Sequence, residues 1–181
     1  NASNPPDEYV DTEQNISETQ VFESSHMMPV TAVYDSKMNA GDRLDFVSLD
    51  NSFLIASLDD QLFQSEVYAK EGVIYKCNAY VDCSRKSGET RDDNYNLIPN
   101  WNPIFSGEMG LFTGRISDHN ITDERYGRFY TSSKLLYLSK DLDVQQEDRC
   151  HVNGEKYNVQ TVESDRIPGL HICGVSEDNR E

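Results

Sequence analysis

The stretch HVNGEKYNVQT, residues 151–161, places an Asn-Gly pair between a short apolar run and an alternating one. A two-residue type I′ turn requires positive φ at both central positions, and Asn followed by Gly adopts that conformation most easily. Asn153 and Gly154 are therefore predicted to form the turn of a β-hairpin. The flanking strands are predicted to be RCHV (149–152) and KYNVQTV (156–162).

Short strand-like segments with close turn signals surround this hairpin, a pattern typical of a small antiparallel β-barrel or sandwich. VIYKCNAYVDC (73–83) is predicted to be one long half-buried strand because apolar and polar residues alternate along it. One short helix is predicted within 49–63, where Leu54, Leu58 and Leu62 have helical spacing. The fold class predicted is all-β, with long loops and at most this one helix. The other predicted strands are 111–116, 128–132, 134–138 and 170–175.

The N-terminal 36 residues contain seven acidic residues and no Lys or Arg. With Pro5-Pro6 and many polar residues, the first 25 or so cannot bury enough apolar surface to fold alone. Residues 1–36 are therefore predicted to be an extended acidic arm ordered by a neighbouring subunit, and 37–181 a single barrel-like domain. Residues 84–108 lack periodicity and are predicted to be a long loop inserted in that domain, anchored by Trp101.

The chain has 181 residues, a formal net charge of -16 and a mean hydropathy of -0.69. A protein that reads duplex DNA needs Lys and Arg for the phosphates, so this charge argues against that class. No stretch approaches the roughly 18 apolar residues of a membrane-spanning helix. A hydrophobic fraction of 36% predicts that much of the chain is loop, arm or subunit interface.

The sequence offers few residues for catalysis or metal binding. Cys150, His151, His171 and Cys173 suggest a metal site, but neighbours on a strand point in opposite directions, so Cys150 and His151 cannot both reach one ion without a bulge. A disulfide between Cys150 and Cys173, or two buried thiols, is favoured instead. The nucleophile elbow, P-loop and HExxH motifs are absent, so no enzyme, cofactor or metal site is predicted.

The run DLDVQQEDRCHVNGEKYNVQTVESDRIPGL, residues 141–170, resembles the C-terminal part of tailed-phage head-closure proteins, also called head-to-tail stoppers or joining proteins. In that family a strand ending in Leu or Tyr leads to an acidic turn, a G-D-R-hydrophobic strand, an N/D-G hairpin, a K-Y-x-V strand and an aliphatic closing strand. Glu147 stands where the family often has Gly. The corresponding segments here are 135–138, 141–143, 148–149, 153–154, 156–159 and 170–175.

The resemblance implies a homo-oligomeric ring, usually a dodecamer, in the neck of a virion that is assembled in the host cytoplasm. Such a ring lies below the portal and adaptor proteins, closes the DNA channel of the head and docks the tail. It implies passage of double-stranded DNA without specific binding, with no cofactor and no membrane. A net-negative wall would keep the phosphates off, and the candidate channel-facing acids are Asp92, Asp93, Asp118 and Asp123.

Two alternatives remain open from the sequence. The first is a tail-terminator or other neck or tail ring protein, which is also β-rich and ring-forming. The second is an extracellular disulfide-containing β-sandwich binding domain, which a count of the free thiols would separate from the ring proteins. Asp118-His119 with Asp123 resembles an acid/base cluster, but residues on a polar connection are usually solvated.

Replacement of Gly154 by Val tests the predicted turn. A β-branched residue at positive φ is strained, so Gly154→Val should lower the free energy of unfolding by about 1 kcal/mol or more. Thermal unfolding of the variant beside the unmodified chain measures the effect. An unchanged melting temperature would mean that the turn lies elsewhere.

Overall fold

A computed structural model describes residues 10–11, 26–46, 51–91, 95–114 and 134–180. Every regular element in these ranges is a β-strand, which confirms the all-β fold class. No helix in the described residues is long and apolar enough to cross a membrane. The chain forms two compact units, Asn1–Lys76 and Cys77–Glu181, and not an arm followed by a single domain that begins at residue 37.

The first unit is a five-stranded antiparallel sheet. Its strands are β1 (Val10–Asp11), β2 (Met27–Val33), β3 (Arg43–Phe46), β4 (Asn51–Phe63) and β5 (Glu66–Lys76). They lie in the order β1-β2-β5-β4-β3. The buried face carries a small core that includes Val30, Ala32, Phe53, Ile55 and Ile74. Burial of this apolar face against the rest of the unit holds the sheet together.

Two predictions for this unit are wrong. The predicted helix within 49–63 is β4, which pairs with β3 and β5 on its two edges. A register shift between Ile55 and Ser57 breaks the alternation of the strand, so its apolar residues imitate helical spacing. The predicted arm 1–36 includes β2, an internal strand with Val30 and Ala32 buried. Residues 1–9 and 12–25 lie outside the described residues.

The second unit is a closed antiparallel barrel of six strands. Its strands are β6 (Ala79–Arg91), β7 (Leu97–Gly114), β8 (Lys134–Ser139), β9 (Arg149–Val152), β10 (Glu155–Ile167) and β11 (Leu170–Glu177). The strand order is β10-β11-β8-β7-β6-β9, and β9 pairs with β10 to close the ring of strands. The barrel interior is apolar and includes Val81, Leu136, Leu138, Val159 and Val175.

Within the segment 84–108, predicted to be a loop, residues 84–91 belong to β6 and residues 97–108 to β7, and residues 92–94 lie outside the described residues. Register shifts on either side of Cys83 and before Gly88 interrupt the alternation, and Pro99 and Pro103 lie within β7. The segment 73–83, predicted to be one strand, is two strands separated at Cys77 and Asn78. The sequence pattern missed the strands in 84–108 because bulges and prolines remove the period of two on which it relies.

The Asn-Gly turn lies between Val152 and Glu155, which pair directly across β9 and β10. Both turn residues have positive φ, 51° for Asn153 and 90° for Gly154. The main-chain N–H of Asn153 donates to the carbonyl oxygen of Tyr80, and the Tyr80 N–H donates to Asn153 Oδ1, both at 3.2 Å. The turn is therefore bonded to β6 as well as joining β9 to β10.

Gly72 in β5 tests the close approach of β5 to β4. A Cβ at this position would lie 2.0 Å from the carbonyl oxygen of Ser57, a main-chain atom that no side-chain rotation can move away. We expect Gly72→Ala to lower the free energy of unfolding by about 2 kcal/mol or more because the strands must separate. Chemical denaturation measures the change.

Gly114→Ala is the matched control, because a Cβ at Gly114 would have no heavy atom within 4 Å. This variant should unfold at nearly the same denaturant concentration as the unmodified chain. Equal stability of the two alanine variants would contradict the close approach at Gly72.

Candidate functional site

The barrel unit carries a cleft of about 530 Å³ beside its tryptophan. One wall comes from β6 and β7, and the other comes from the turn before β9 and the residues after β11. The cleft thus brings together segments that are distant in sequence. Its lining residues are Lys86, Leu97, Pro99, Trp101, Glu147 and Arg180.

Trp101 lines the cleft, and two guanidinium groups lie over its ring. The guanidinium carbon of Arg149 lies 4.0 Å from the ring centroid, and that of Arg180 lies 5.0 Å away. These are cation–π distances, and planar guanidinium groups stack readily on an indole ring. Trp101 anchors this part of the chain, as the sequence predicted, although the chain here is a strand and not a loop. Its buried Nε1 has no hydrogen-bond partner among the described residues.

Arg180 uses all five of its N–H donors within the protein. Its Nε donates to Asp178 Oδ1 at 2.8 Å, and its Nη1 donates to the main-chain oxygen and to Oε2 of Glu147, each at 3.3 Å. Its Nη2 donates to Asn158 Oδ1 at 2.7 Å and to Asp178 Oδ2 at 3.0 Å. No N–H donor of Arg180 is left for an incoming anion. The same hydrogen bonds attach the C-terminal segment to the barrel.

Arg149 and Asp178 form a buried ion pair beneath Arg180. The Nε of Arg149 donates to Asp178 Oδ2 at 2.6 Å, and the side chains are 6% and 1% exposed. Burial alone would raise the pKa of Asp178, but hydrogen bonds from Arg180 and Arg149 lower the pKa to about 2. The carboxylate therefore stays ionised and accepts hydrogen bonds from both arginines that lie on Trp101.

A second ionic cluster lies on the same unit and centres on Arg85. Its Nε and Nη2 bind both carboxylate oxygens of Asp148 at 2.9 and 3.0 Å, and its Nη1 binds Asp143 Oδ2 at 2.9 Å. The hydrogen bonds to Asp148 and Asp143 raise the pKa of Arg85, and Arg85 in turn lowers the pKa of Asp143. Arg85, Arg149 and Arg180 are thus each paired with carboxylates of the same unit.

The cleft presents apolar surface beside the Arg180 guanidinium, which is already bonded within the chain. Leu97 is 59% exposed at its rim, while Lys86 is paired with Glu89. No group of three or more His, Cys, Asp or Glu in the described part of the chain is arranged to hold a metal ion.

The predicted channel-facing acids Asp92, Asp93, Asp118 and Asp123 all lie outside the described residues. The network of Arg149, Asp178 and Arg180 had not been predicted, because its members come from β9 and from the C-terminal segment and share no local motif. The sequence signal for this region is Trp101, the single tryptophan of the chain, within a largely polar segment.

The predicted disulfide between Cys150 and Cys173 is wrong, and the alternative of buried thiols is what the structure has. All four cysteines are free and buried. The thiol of Cys150 lies 3.2 Å from that of Cys83, on the neighbouring strand β6. Cys173 lies on β11, two strands from β9, or about 10 Å along the sheet, which is beyond the reach of a disulfide.

Asp178→Asn tests the buried ion pair through pH. Because the pKa of Asp178 is lower in the folded chain than in the unfolded chain, its stabilisation is present above about pH 4 and is lost as the pH falls toward 2. As the pH falls through this range, protonation of Asp178 should lower the free energy of unfolding by about 2 kcal/mol. At pH 7 the free energy of unfolding of Asp178→Asn should be about 3 kcal/mol below that of the unmodified chain. Between pH 4 and 2 it should change less than that of the unmodified chain.

Denaturant unfolding at a series of pH values measures both effects. Asp143→Asn is the control, because Asp143 also binds an arginine but is largely exposed, so solvent screens its charge. That variant should stay close to the unmodified chain at pH 7. An equal loss in the two variants would contradict the special role of Asp178.

Comparison of the chain with protein-family models, with curated proteins and with solved structures finds no match. The function therefore has to be inferred from the residues and their arrangement.

Proposed function

We propose that this chain is a structural subunit of a ring in the neck of a tailed bacteriophage, which closes the DNA channel of the head and docks the tail. The observation that carries the proposal is the large apolar surface at the ends of the two long hairpins. A subunit completed by its neighbours would cover that surface, whereas a solitary protein with this charge would leave it in water.

The hairpin of β4 and β5 ends in an apolar tip. Leu62 is 64% exposed, Phe63 is 66% exposed and Tyr68 is 56% exposed around the Gln64-Ser65 turn. Large apolar and aromatic side chains are typical of the centre of protein–protein interfaces. We refer to Leu62, Phe63, Val67 and Tyr68 as the hairpin tip. Its exposure supports a contact with another subunit.

The hairpin of β6 and β7 carries a second exposed apolar set. Tyr95 precedes β7, Leu97 and Ile98 begin it, and all three are exposed. A long strand pair with apolar residues in water is prone to association unless another chain covers it. Each compact unit thus presents its own surface for assembly.

The state of the arginines supports passage of DNA without binding. A wall that bound phosphates through free Lys and Arg would hold the genome by counterion release. Here Arg85, Arg149 and Arg180 are bound to carboxylates of the same unit. With a formal net charge of -16 over the chain, the surface is suited to repel a polyanion.

The backbone between β8 and β11 also supports the proposal. The strand β8, the acidic turn, β9, the Asn-Gly turn, β10 and β11 follow one another in the order found in head-closure proteins. Glu147 has φ of 72°, a conformation that favours glycine, at the position where that family often has Gly. The conformation of Glu147 is therefore one that a Gly at this position would adopt easily.

Ring formation is the property to test. Mass photometry and negative-stain electron microscopy of the purified chain, alone and with tail and portal-side neck proteins, should show a closed ring of one size. The double variant Leu62→Ser with Phe63→Ser should weaken assembly at least tenfold in the concentration required, because it removes the apolar tip. Circular dichroism should remain that of a β-protein.

Tyr80→Ser is the matched control, since Tyr80 is 67% exposed but lies within β6 and not at a hairpin tip. It should assemble like the unmodified chain. A monomer under all conditions would contradict the ring and favour the extracellular binding domain. Retention of duplex DNA by the chain at physiological salt would also contradict the proposal. Binding only to tail proteins would favour the tail-terminator alternative.

A further inference from the structure

We propose that Cys83 and Cys150 are a disulfide site, at which oxidation links β6 to β9 and staples the barrel closed. The inference is independent of the ring, because it rests only on contacts within the barrel unit. It also replaces the pairing of Cys150 with Cys173 by a partner that the strand order brings into contact.

The backbone positions of the two cysteines suit a cross-strand disulfide. Cys83 and Cys150 are directly opposed in the antiparallel ladder of β6 and β9, which runs from Val81 to Ser84 without a register shift. Opposed residues in such ladders have Cα atoms about 4.5 to 5.5 Å apart, within the range that a disulfide spans. No strand has to move for the bond to form.

The side chains are already in contact. The two sulfur atoms lie 3.2 Å apart, and both residues are buried in the barrel core. A disulfide has an S–S length near 2 Å, so the sulfurs must approach by about 1 Å, which small rotations about the side-chain bonds can provide. The bond would form inside the core, where it displaces no polar group.

The link would reinforce the shortest strand of the barrel. β9 has four residues and is held between β6 and β10, so the barrel closes through few main-chain hydrogen bonds. A bond between Cys83 and Cys150 joins positions 67 residues apart in sequence. Cross-links that close long loops restrict the unfolded chain most, so this link should stabilise the unit strongly.

The reaction requires a two-electron oxidant, for which a low-molecular-weight disulfide such as oxidised glutathione is suitable. One protein thiolate attacks the external disulfide and releases one small thiol, leaving a mixed disulfide. The second protein thiolate then attacks the protein sulfur of that mixed disulfide and releases the second small thiol. The protein loses two S–H bonds and gains one S–S bond, and the reagent gains the two electrons and two protons.

Burial determines when this reaction proceeds. The hydrogen bond with Cys83 and the burial of Cys150 raise the pKa of the Cys150 thiol, so little thiolate is present in the folded barrel. Exchange with the folded protein should therefore be slow. Both thiols are exposed in the unfolded chain. When the chain refolds in the presence of the oxidant, the native pairing of β6 with β9 brings them together.

The test is refolding of the full chain in a glutathione buffer that is oxidising, with a parallel sample in dithiothreitol. Free thiols counted after denaturation should fall from four to two in the oxidised sample. The oxidised chain is digested, without reduction, with trypsin and with a protease that cleaves before Asp. Cleavage of the Val81-Asp82 bond separates Cys77 from Cys83. Mass spectrometry should then find peptide 82–85 joined to peptide 150–156.

The melting temperature should rise by about 10 °C in the oxidised sample and return on reduction. Cys173→Ala is the matched control, because it removes a buried thiol of the same core and should keep the link. Cys150→Ala should remove both the link and the effect of the reductant. Four free thiols in the refolded oxidised chain, or a link that involves Cys77 or Cys173, would overturn the proposal.

Discussion

Closure of the barrel through β9 is the constraint on which the rest of the second unit depends. This strand has only four residues, yet it bridges β6 and β10 and so completes the ring of strands. Its position brings Cys150 against Cys83 and Arg149 onto Trp101. The turn that follows it is bonded to Tyr80 on β6. The core, the ionic network and the cleft therefore share one short element.

The side chains of β9 divide between the apolar core and the ionic network. Cys150 and Val152 enter the apolar core, whereas Arg149 turns to Asp178 and Trp101. A buried ion pair adds little net stability over an apolar pair, but loss of one partner leaves an unpaired buried charge, which is costly. The pair thus fixes the C-terminal segment in one place. It also withdraws the Arg149 guanidinium from the surface.

The exposed apolar residues of the hairpins are the observation on which the proposal of assembly rests. Both units extend long strand pairs, and both carry large apolar side chains in water. The cores are complete without these residues, because the buried clusters lie elsewhere on the strands. Apolar residues that the fold itself does not need are available for neighbours. A ring of such subunits would bury the apolar ends and present the acidic surface to the channel.

The sequence alone determined the all-β class and the Asn153-Gly154 turn, because alternation and positive φ are properties of neighbouring residues. It failed where bulges break alternation, in β4 and along 84–108, since the buried positions there follow pairing and not local pattern. Tertiary structure alone decided that Cys150 meets Cys83, 67 residues away, and that Arg149 meets Asp178, 29 residues away. Such contacts depend on which strands become neighbours when the barrel closes, and no local sequence pattern encodes strand order.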